Sequence, residues 1–180
     1  MRCRKMTGSK CYLSPIDPND ASIYLAWVND EEVYKYLLVG TRSVSLDKER
    51  EILERLAKEH NYAVVDKDTD ALLGNVGLFD VDDVHRSGSV GVFIGDKSYW
   101  GRGYGTEALG LLVDYSFRIL NMKSLELRVF DFNERARKSY AKLGFKAVGT
   151  RRQAYFYDRR WHDEIIMDIL AEDFYGRGEV

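Results

Sequence analysis

The chain carries two hydrophobic rhythms, one of period near 3.6 and one of period 2, and their order predicts an α/β layer. Asp17-Pro18-Asn19-Asp20 combines a capping carboxylate, a proline at the first helical position and an acid in the first turn, so a helix is expected there. Ile23, Ala26 and Trp27 continue it at helical spacing. Ser45 opens a second helix with Ile52, Leu53 and Leu56 on one side, and both helices are expected to precede the sheet. Tyr62 to Asp66 and Ala71 to Phe79 read as a strand hairpin around the polar turn Lys67 to Asp70. A third strand, Ser89 to Gly95, runs into a glycine-rich stretch. After it, Leu109, Leu112, Val113, Ser116, Phe117 and Leu120 form a broad helical stripe that belongs to the core. Leu125 to Phe130 alternates as a strand, Asn133 to Leu143 reads as a helix closed by Gly144, and Arg151 to Leu170 as a hairpin around Asp158-Arg159-Arg160. Helices, strands, helix, strand, helix and hairpin in that order give a mixed sheet in a single domain over residues 1–180, with its core at about 11–170.

Composition narrows the class. With 180 residues and 45% hydrophobic content the chain can bury a substantial core without disulfides or metals. Cys3 and Cys11 lie close together near the N-terminus and suggest no framework, so a reduced, cytoplasmic protein is the expectation. No apolar run reaches signal-peptide or membrane-spanning length. A net charge of -2 with interspersed signs argues against a nucleic-acid-binding face.

The glycine-rich stretch Trp100-Gly101-Arg102-Gly103-Tyr104-Gly105-Thr106-Glu107-Ala108 brings in chemistry. A strand that ends in alternate glycines lets successive backbone N–H groups face one anion, and the following helix adds its positive end. The spacing is not that of a dinucleotide fold, which wants glycine where Thr106 stands, and the Gly-Lys-Ser/Thr of a nucleotide triphosphatase is absent. A pyrophosphate cradle is favoured over a plain turn because the helix starts at once. Asp66-Lys67-Asp68-Thr69-Asp70 has alternate carboxylates but lacks the glycine and distal glutamate of a calcium loop, and His60, His85 and His162 show no ligand spacing, so no metal is expected.

Together with the later block Asn133-Glu134-Arg135-Ala136-Arg137-Lys138-Ser139-Tyr140-Ala141-Lys142-Leu143-Gly144-Phe145 and the apolar strand ending at Ile94-Gly95, this loop resembles the GNAT superfamily of acyl-CoA-dependent N-acetyltransferases. Trp27-Val28-Asn29-Asp30 and the closing Trp161-His162-Asp163-Glu164 are most similar to the branch of ribosomal-protein N-terminal acetyltransferases and spermidine acetyltransferases. The resemblance spans nearly the whole chain. It implies a mixed, mostly antiparallel sheet whose central strands splay apart to admit coenzyme A, with flanking helices. It further implies that backbone N–H groups of Gly101, Arg102, Gly103, Tyr104, Gly105 and Thr106 hold the pyrophosphate. Exposed backbone at Val92, Phe93 and Ile94 would pair with the pantetheine arm, and one N–H near Phe93 or Ile94 would face the thioester oxygen. Asn133 reads equally as a helix cap and as a coenzyme contact.

Tyr140 lies four residues after Ala136 and three before Leu143, which places it on the inward face of its helix. The resemblance implies that it protonates the departing coenzyme A thiolate. A core aromatic is the other reading of the same position. The implied reaction is direct attack of a neutral amine on the thioester within a ternary complex, with acetyl-CoA as donor and a protein N-terminus, polyamine or small amine as acceptor. Nucleic acid and membrane are not expected partners; the oligomeric state stays open, a homodimer included.

The chain departs from the family at two positions. Many relatives carry a glutamate at the place of Ser89, where it orders water to deprotonate the amine; His85, Glu31, Glu32 and Asp83 are alternatives, each of which also reads as a solvated charge. Trp100 stands where the loop usually begins with Gln or Arg, which leaves phosphate recognition to the main chain. Glu31, Glu32, Asp82 and Asp83 would favour a polyamine if they met in one trough, and Tyr155, Phe156, Tyr157 and Trp161 line the acceptor groove or close the sheet. The missing strand carboxylate motivates an alternative of another class, an acyl-CoA-binding sensor or interaction module without transferase activity; retention of Tyr140 argues against it.

Overall fold

The computed structural model describes residues 2–37 and 43–176. Eight strands form one sheet: β1 (Met6–Thr7), β2 (Cys11–Pro15), β3 (Asn61–Asp66), β4 (Leu72–Asp82), β5 (Ser87–Ile94), β6 (Ser124–Phe130), β7 (Lys146–Tyr157) and β8 (Arg160–Leu170). Their spatial order is β1-β2-β3-β4-β5-β6-β8-β7. The pairing of β5 with β6 is parallel, with Ser87 opposite Ser124, Gly88 opposite Leu125 and Ser89 opposite Glu126. The helices are α1 (Ala21–Val28), α2 (Glu31–Tyr34), α3 (Leu46–Leu56), α4 (Tyr104–Arg118), α5 (Glu134–Leu143) and α6 (Ala171–Tyr175). None of these is long and apolar enough to cross a membrane.

Contacts divide the chain into two compact units. The first runs up to Gly77 and includes Val92–Leu111. In it Asp17 accepts a bond from the Asn19 N–H and starts a 3-10 turn, Pro18–Asp20, that leads into α1, while the Ser45 hydroxyl caps α3. Tyr24 of α1 and Leu53 of α3 bury themselves with Tyr12, Ala63 and Val65 of the sheet, and Trp27 and Phe93 pack against that cluster. Tyr24 also donates to the Gly74 carbonyl at 2.9 Å. A Cβ on Gly74 would sit 1.9 Å from the Phe93 carbonyl oxygen, so the two strands approach closely only because this position has no side chain.

The second unit comprises Leu78–Gly91 and the chain from Leu112 onward. Leu125 pairs with Ile169 and Leu127 with Met167, all buried on one face, while Glu126 pairs with Asp168 on the other. Gly144, at φ 106°, caps α5 in the left-handed region as its position after Leu143 predicts. The turn between β7 and β8 places Asp158 and Arg159 both at positive φ, the geometry that matches the twist of a tight hairpin.

Two expectations need correction. The helices do not precede the sheet: β1 and β2 come before them, and β2 is the paired neighbour of β3. Cys11 to Ser14 is wholly buried, so its side chains show no alternation of polar and apolar positions and periodicity could not reveal the strand. β7 starts at Lys146 rather than Arg151, through a register shift between Ala147 and Gly149.

Candidate active site

The first unit brings the glycine loop onto the end of β5. Gly101 and Gly103 hold φ of 71° and 89°, and a Cβ at Gly101 would touch nothing, so backbone conformation rather than space demands glycine there. A Cβ on Gly105 would meet Ile94 Cγ1 at 3.5 Å and Val92 Cγ2 at 4.0 Å, which puts the first turn of α4 directly beside the strand end. The Glu107 N–H bonds back to the Gly103 carbonyl, so the first turn of α4 opens directly on the loop glycine. Two left-handed glycines followed by a helix start make a cradle that fits a pyrophosphate.

Side chains of the loop are turned elsewhere. Trp100 Nε1 donates to the Ile94 carbonyl at 2.7 Å, and Tyr36 stands edge-on to its ring at 6.1 Å. Tyr104 sends its hydroxyl to buried Asp66 at 2.6 Å; that bond, with burial, pushes the phenol up to about 12. The Arg102 guanidinium lies 5.1 Å from the Tyr99 ring and 5.8 Å from that of Tyr104. Along β5, the Phe93 carbonyl and the Gly95 N–H both face β4, at Gly74 and at Leu73. The pleat then aims the backbone of Val92 and Ile94 to the edge away from β4.

Asn133 and Tyr140 belong to the second unit. Asn133 Oδ1 accepts the Ala136 N–H at 3.2 Å, the cap reading of that residue. Tyr140 is 8% exposed, lies edge-on to Phe145 at 6.2 Å, and is pushed up to about 12 by burial. Its hydroxyl therefore keeps its proton throughout the neutral range.

The same unit holds an open cleft of about 270 Å³ that sequence reasoning missed. Asp80, Glu126 and Asp168 line it together with Ser87, Ser89 and Ser124. Glu126 stands opposite Ser89 in the parallel register and Asp168 opposite Glu126, so adjacent strands set carboxylates side by side on one face. Asp80 reaches the cleft from a left-handed conformation, φ 49°, that Asp tolerates better than most residues. The polar alternation of Ser124 and Glu126 along the strand was the available signal, but only the strand order joins it to Ser89 and Asp168.

The remaining candidates fall outside this cleft. His85 is solvent-facing in a turn, with Nδ1 2.9 Å from Asp82. Glu31 and Glu32 begin α2 in the first unit, where Lys97 pairs with Asp30 at 2.8 Å and with Glu32. Asp82 and Asp83 belong to the second unit. Tyr155 stacks on Phe130 at 4.0 Å, whereas Phe156 and Trp161 are 54% and 60% exposed.

Comparison with known proteins decides what this arrangement belongs to. The model of the acetyltransferase (GNAT) domain matches residues 10–146. The chain belongs to the GNAT acetyltransferase family. Among GNAT relatives, the uncharacterized N-acetyltransferase p20 of Bacillus licheniformis is 24% identical over 170 residues, 91% of this chain and 94% of that protein. The spermidine N(1)-acetyltransferase of Escherichia coli (strain K12) is 34% identical over 101 residues, 56% of this chain and 54% of that protein. Among solved structures, spermidine N-acetyltransferase from Vibrio cholerae in complex with CoA and spermine superposes with a TM-score of 0.83 at 25% identity, covering 93% of this chain and 99% of that one. This GNAT chain is accordingly an N-acetyltransferase with the family's mixed sheet.

Proposed function

We propose that the protein transfers an acetyl group from acetyl-CoA to a primary amine that carries more than one positive charge, a polyamine being the simplest such acceptor. The observation that carries this reading is the cleft that gathers Asp80, Glu126 and Asp168 beside Ser89. A polycation gains from several carboxylates at once, whereas a singly charged amine uses only one. The E. coli and V. cholerae relatives named for spermidine support the same class of acceptor.

Bound acetyl-CoA supplies an activated acetyl thioester. Gly101 to Thr106 bind its pyrophosphate through main-chain N–H groups, and Val92 offers strand backbone to its amide-bearing arm. The Ile94 N–H faces the thioester oxygen, where negative charge grows as the amine nitrogen attacks the carbonyl carbon. A C–N bond forms and the C–S bond breaks. Glu126, across from Ser89, receives the proton lost from the amine nitrogen through an ordered water, and the Tyr140 hydroxyl, neutral because burial holds it so, donates a proton to the leaving sulfur.

Thiol release from acetyl-CoA, measured against spermidine, singly charged primary amines and N-terminal peptides, tests the reading. Spermidine is expected to give the highest kcat/KM. A faster reaction with neutral-bodied peptides or monoamines would overturn the acceptor class.

A further inference from the structure

The glycine loop carries a cation that its own sequence does not contain. Lys10, immediately before β2 and 92 residues away along the chain, sends its ammonium to the Arg102 carbonyl at 2.7 Å. The same nitrogen would lie 3.4 Å from a Cβ on Gly103, so it rests over the left-handed glycine itself. Its backbone is fixed as well. Glu107, in the first turn of α4, accepts the N–H groups of Lys10 at 2.7 Å and Cys11 at 3.0 Å through one oxygen and the Ser9 hydroxyl at 2.5 Å through the other. The Lys67 N–H holds the Lys10 carbonyl at 2.9 Å. Lys10 is thus anchored to the helix start by its main chain and to the loop by its side chain.

We propose that Lys10 is a pyrophosphate-binding residue of the coenzyme site. This rests on the coenzyme reading of the loop given above. An ammonium has three donors, and the Arg102 carbonyl takes one, which leaves two aimed at the surroundings of the loop. Nothing about the Arg102 carbonyl requires a positive charge. A pyrophosphate lying on the N–H groups of the loop does, because those groups are dipoles and leave its formal charge uncompensated. Arg102 is turned against the rings of Tyr99 and Tyr104, so Lys10 and not the loop's own arginine is the cation placed over Gly103. Gly103 holds its left-handed φ of 89° directly beneath the ammonium, where a Cβ would strain the backbone and stand in ordinary contact with the nitrogen.

Calorimetric titration of Lys10→Gln and Lys10→Arg with CoA and with 3′-dephospho-CoA tests the assignment. Glutamine keeps a donor for the Arg102 carbonyl but removes the charge. It is expected to weaken both ligands by the same factor, about tenfold at low salt, with the difference from the unmodified protein shrinking as salt rises. Arginine is expected to recover most of the loss. Unchanged affinity in Lys10→Gln would overturn the proposal, as would a loss confined to CoA, which would move the ammonium to the 3′-phosphate. An equal loss in both variants accompanied by a lower melting temperature would make Lys10 a structural support of the loop. Failure of the unmodified protein to bind CoA would instead overturn the coenzyme reading itself.

Discussion

Trp100 donates its indole N–H to the carbonyl of Ile94 at 2.7 Å, tying the start of the glycine loop to the end of the strand it leaves. The residue therefore closes the loop on the sheet rather than reaching for phosphate. Trp100→Phe removes one hydrogen bond, worth about 1 kcal/mol, and leaves the Ile94 carbonyl to water. Gly103→Val meets a left-handed φ of 89°, which its branched Cβ resists, while Lys10 Nζ at 3.4 Å is only an ordinary contact. The strain alone is about 1–2 kcal/mol for a residue with a Cβ. Coenzyme A titrations should then show roughly tenfold weaker binding for Gly103→Val and a smaller change for Trp100→Phe. The reverse ranking would contradict recognition by main-chain N–H groups.

Tyr104 and Asp66 tie α4 to β3 and should govern stability in acid. Burial would raise the Asp66 carboxyl, but bonds from the Tyr104 hydroxyl and from Thr69 and Asp68 outweigh it and hold the group below its usual value of 3.8. A carboxyl depressed in the folded state contributes stability above its unfolded value and loses it as pH falls through the folded one. Tyr104, raised to about 12, gives the opposite sign and loses its contribution only in strong alkali. Tyr104→Phe should cost about 2 kcal/mol at pH 7, as expected for a hydrogen bond to a charged group. Urea denaturation at pH 7 and pH 3 measures it; the deficit should be smaller at pH 3.

The elements legible in the sequence were those with one wet face or, like the fully buried β3, an apolar run ending on a polar turn. α3 announced itself through the Ser45 cap and the spacing of Leu53 and Leu56, and α5 through Asn133 and Gly144. β2 gave no sign because Cys11 to Ser14, buried on both sides, has neither the alternation of a half-wet strand nor the β-branched run that marks β3. The glycine loop was readable because its requirement is local, two left-handed residues before a helix. Lys10 and Glu126 were not, since each acquires its setting from a partner strand or helix far away in sequence. Trp100 was read as the loss of a phosphate contact; its bond to Ile94 gives it a use that spacing alone cannot express.

Burial of Tyr140 makes a statement about pH. With its phenol at about 12, the hydroxyl is fully protonated from pH 6 to 10. A pH profile of kcat/KM should rise as the amine acceptor loses its proton and show no fall from Tyr140 below pH 10. Tyr140→Phe should lower kcat by about a hundredfold, the lower range of general acid catalysis, and leave coenzyme affinity nearly unchanged. Full turnover in that variant would remove the residue from the chemistry and leave it as a core aromatic beside Phe145.

Ser89 and Glu126 face each other across the parallel pairing of β5 and β6, and this makes the proton acceptor testable by exchange. Glu126→Gln keeps the size and the polar character of the side chain while abolishing its basicity. It should lower kcat by about a hundredfold, the lower end for positioned acid–base groups, since the proton passes through water. Glu126 also lies 3.2 Å from Arg128, an exposed pair whose loss costs little stability, so melting temperature should hold. The informative variant is the double one. Ser89→Glu placed in the Glu126→Gln background returns a carboxylate to the same cleft from the neighbouring strand, and it should recover part of the lost kcat. Recovery would show that the cleft needs a carboxylate at this pair of positions rather than glutamate at one of them; no loss in Glu126→Gln would exclude the residue as the proton acceptor.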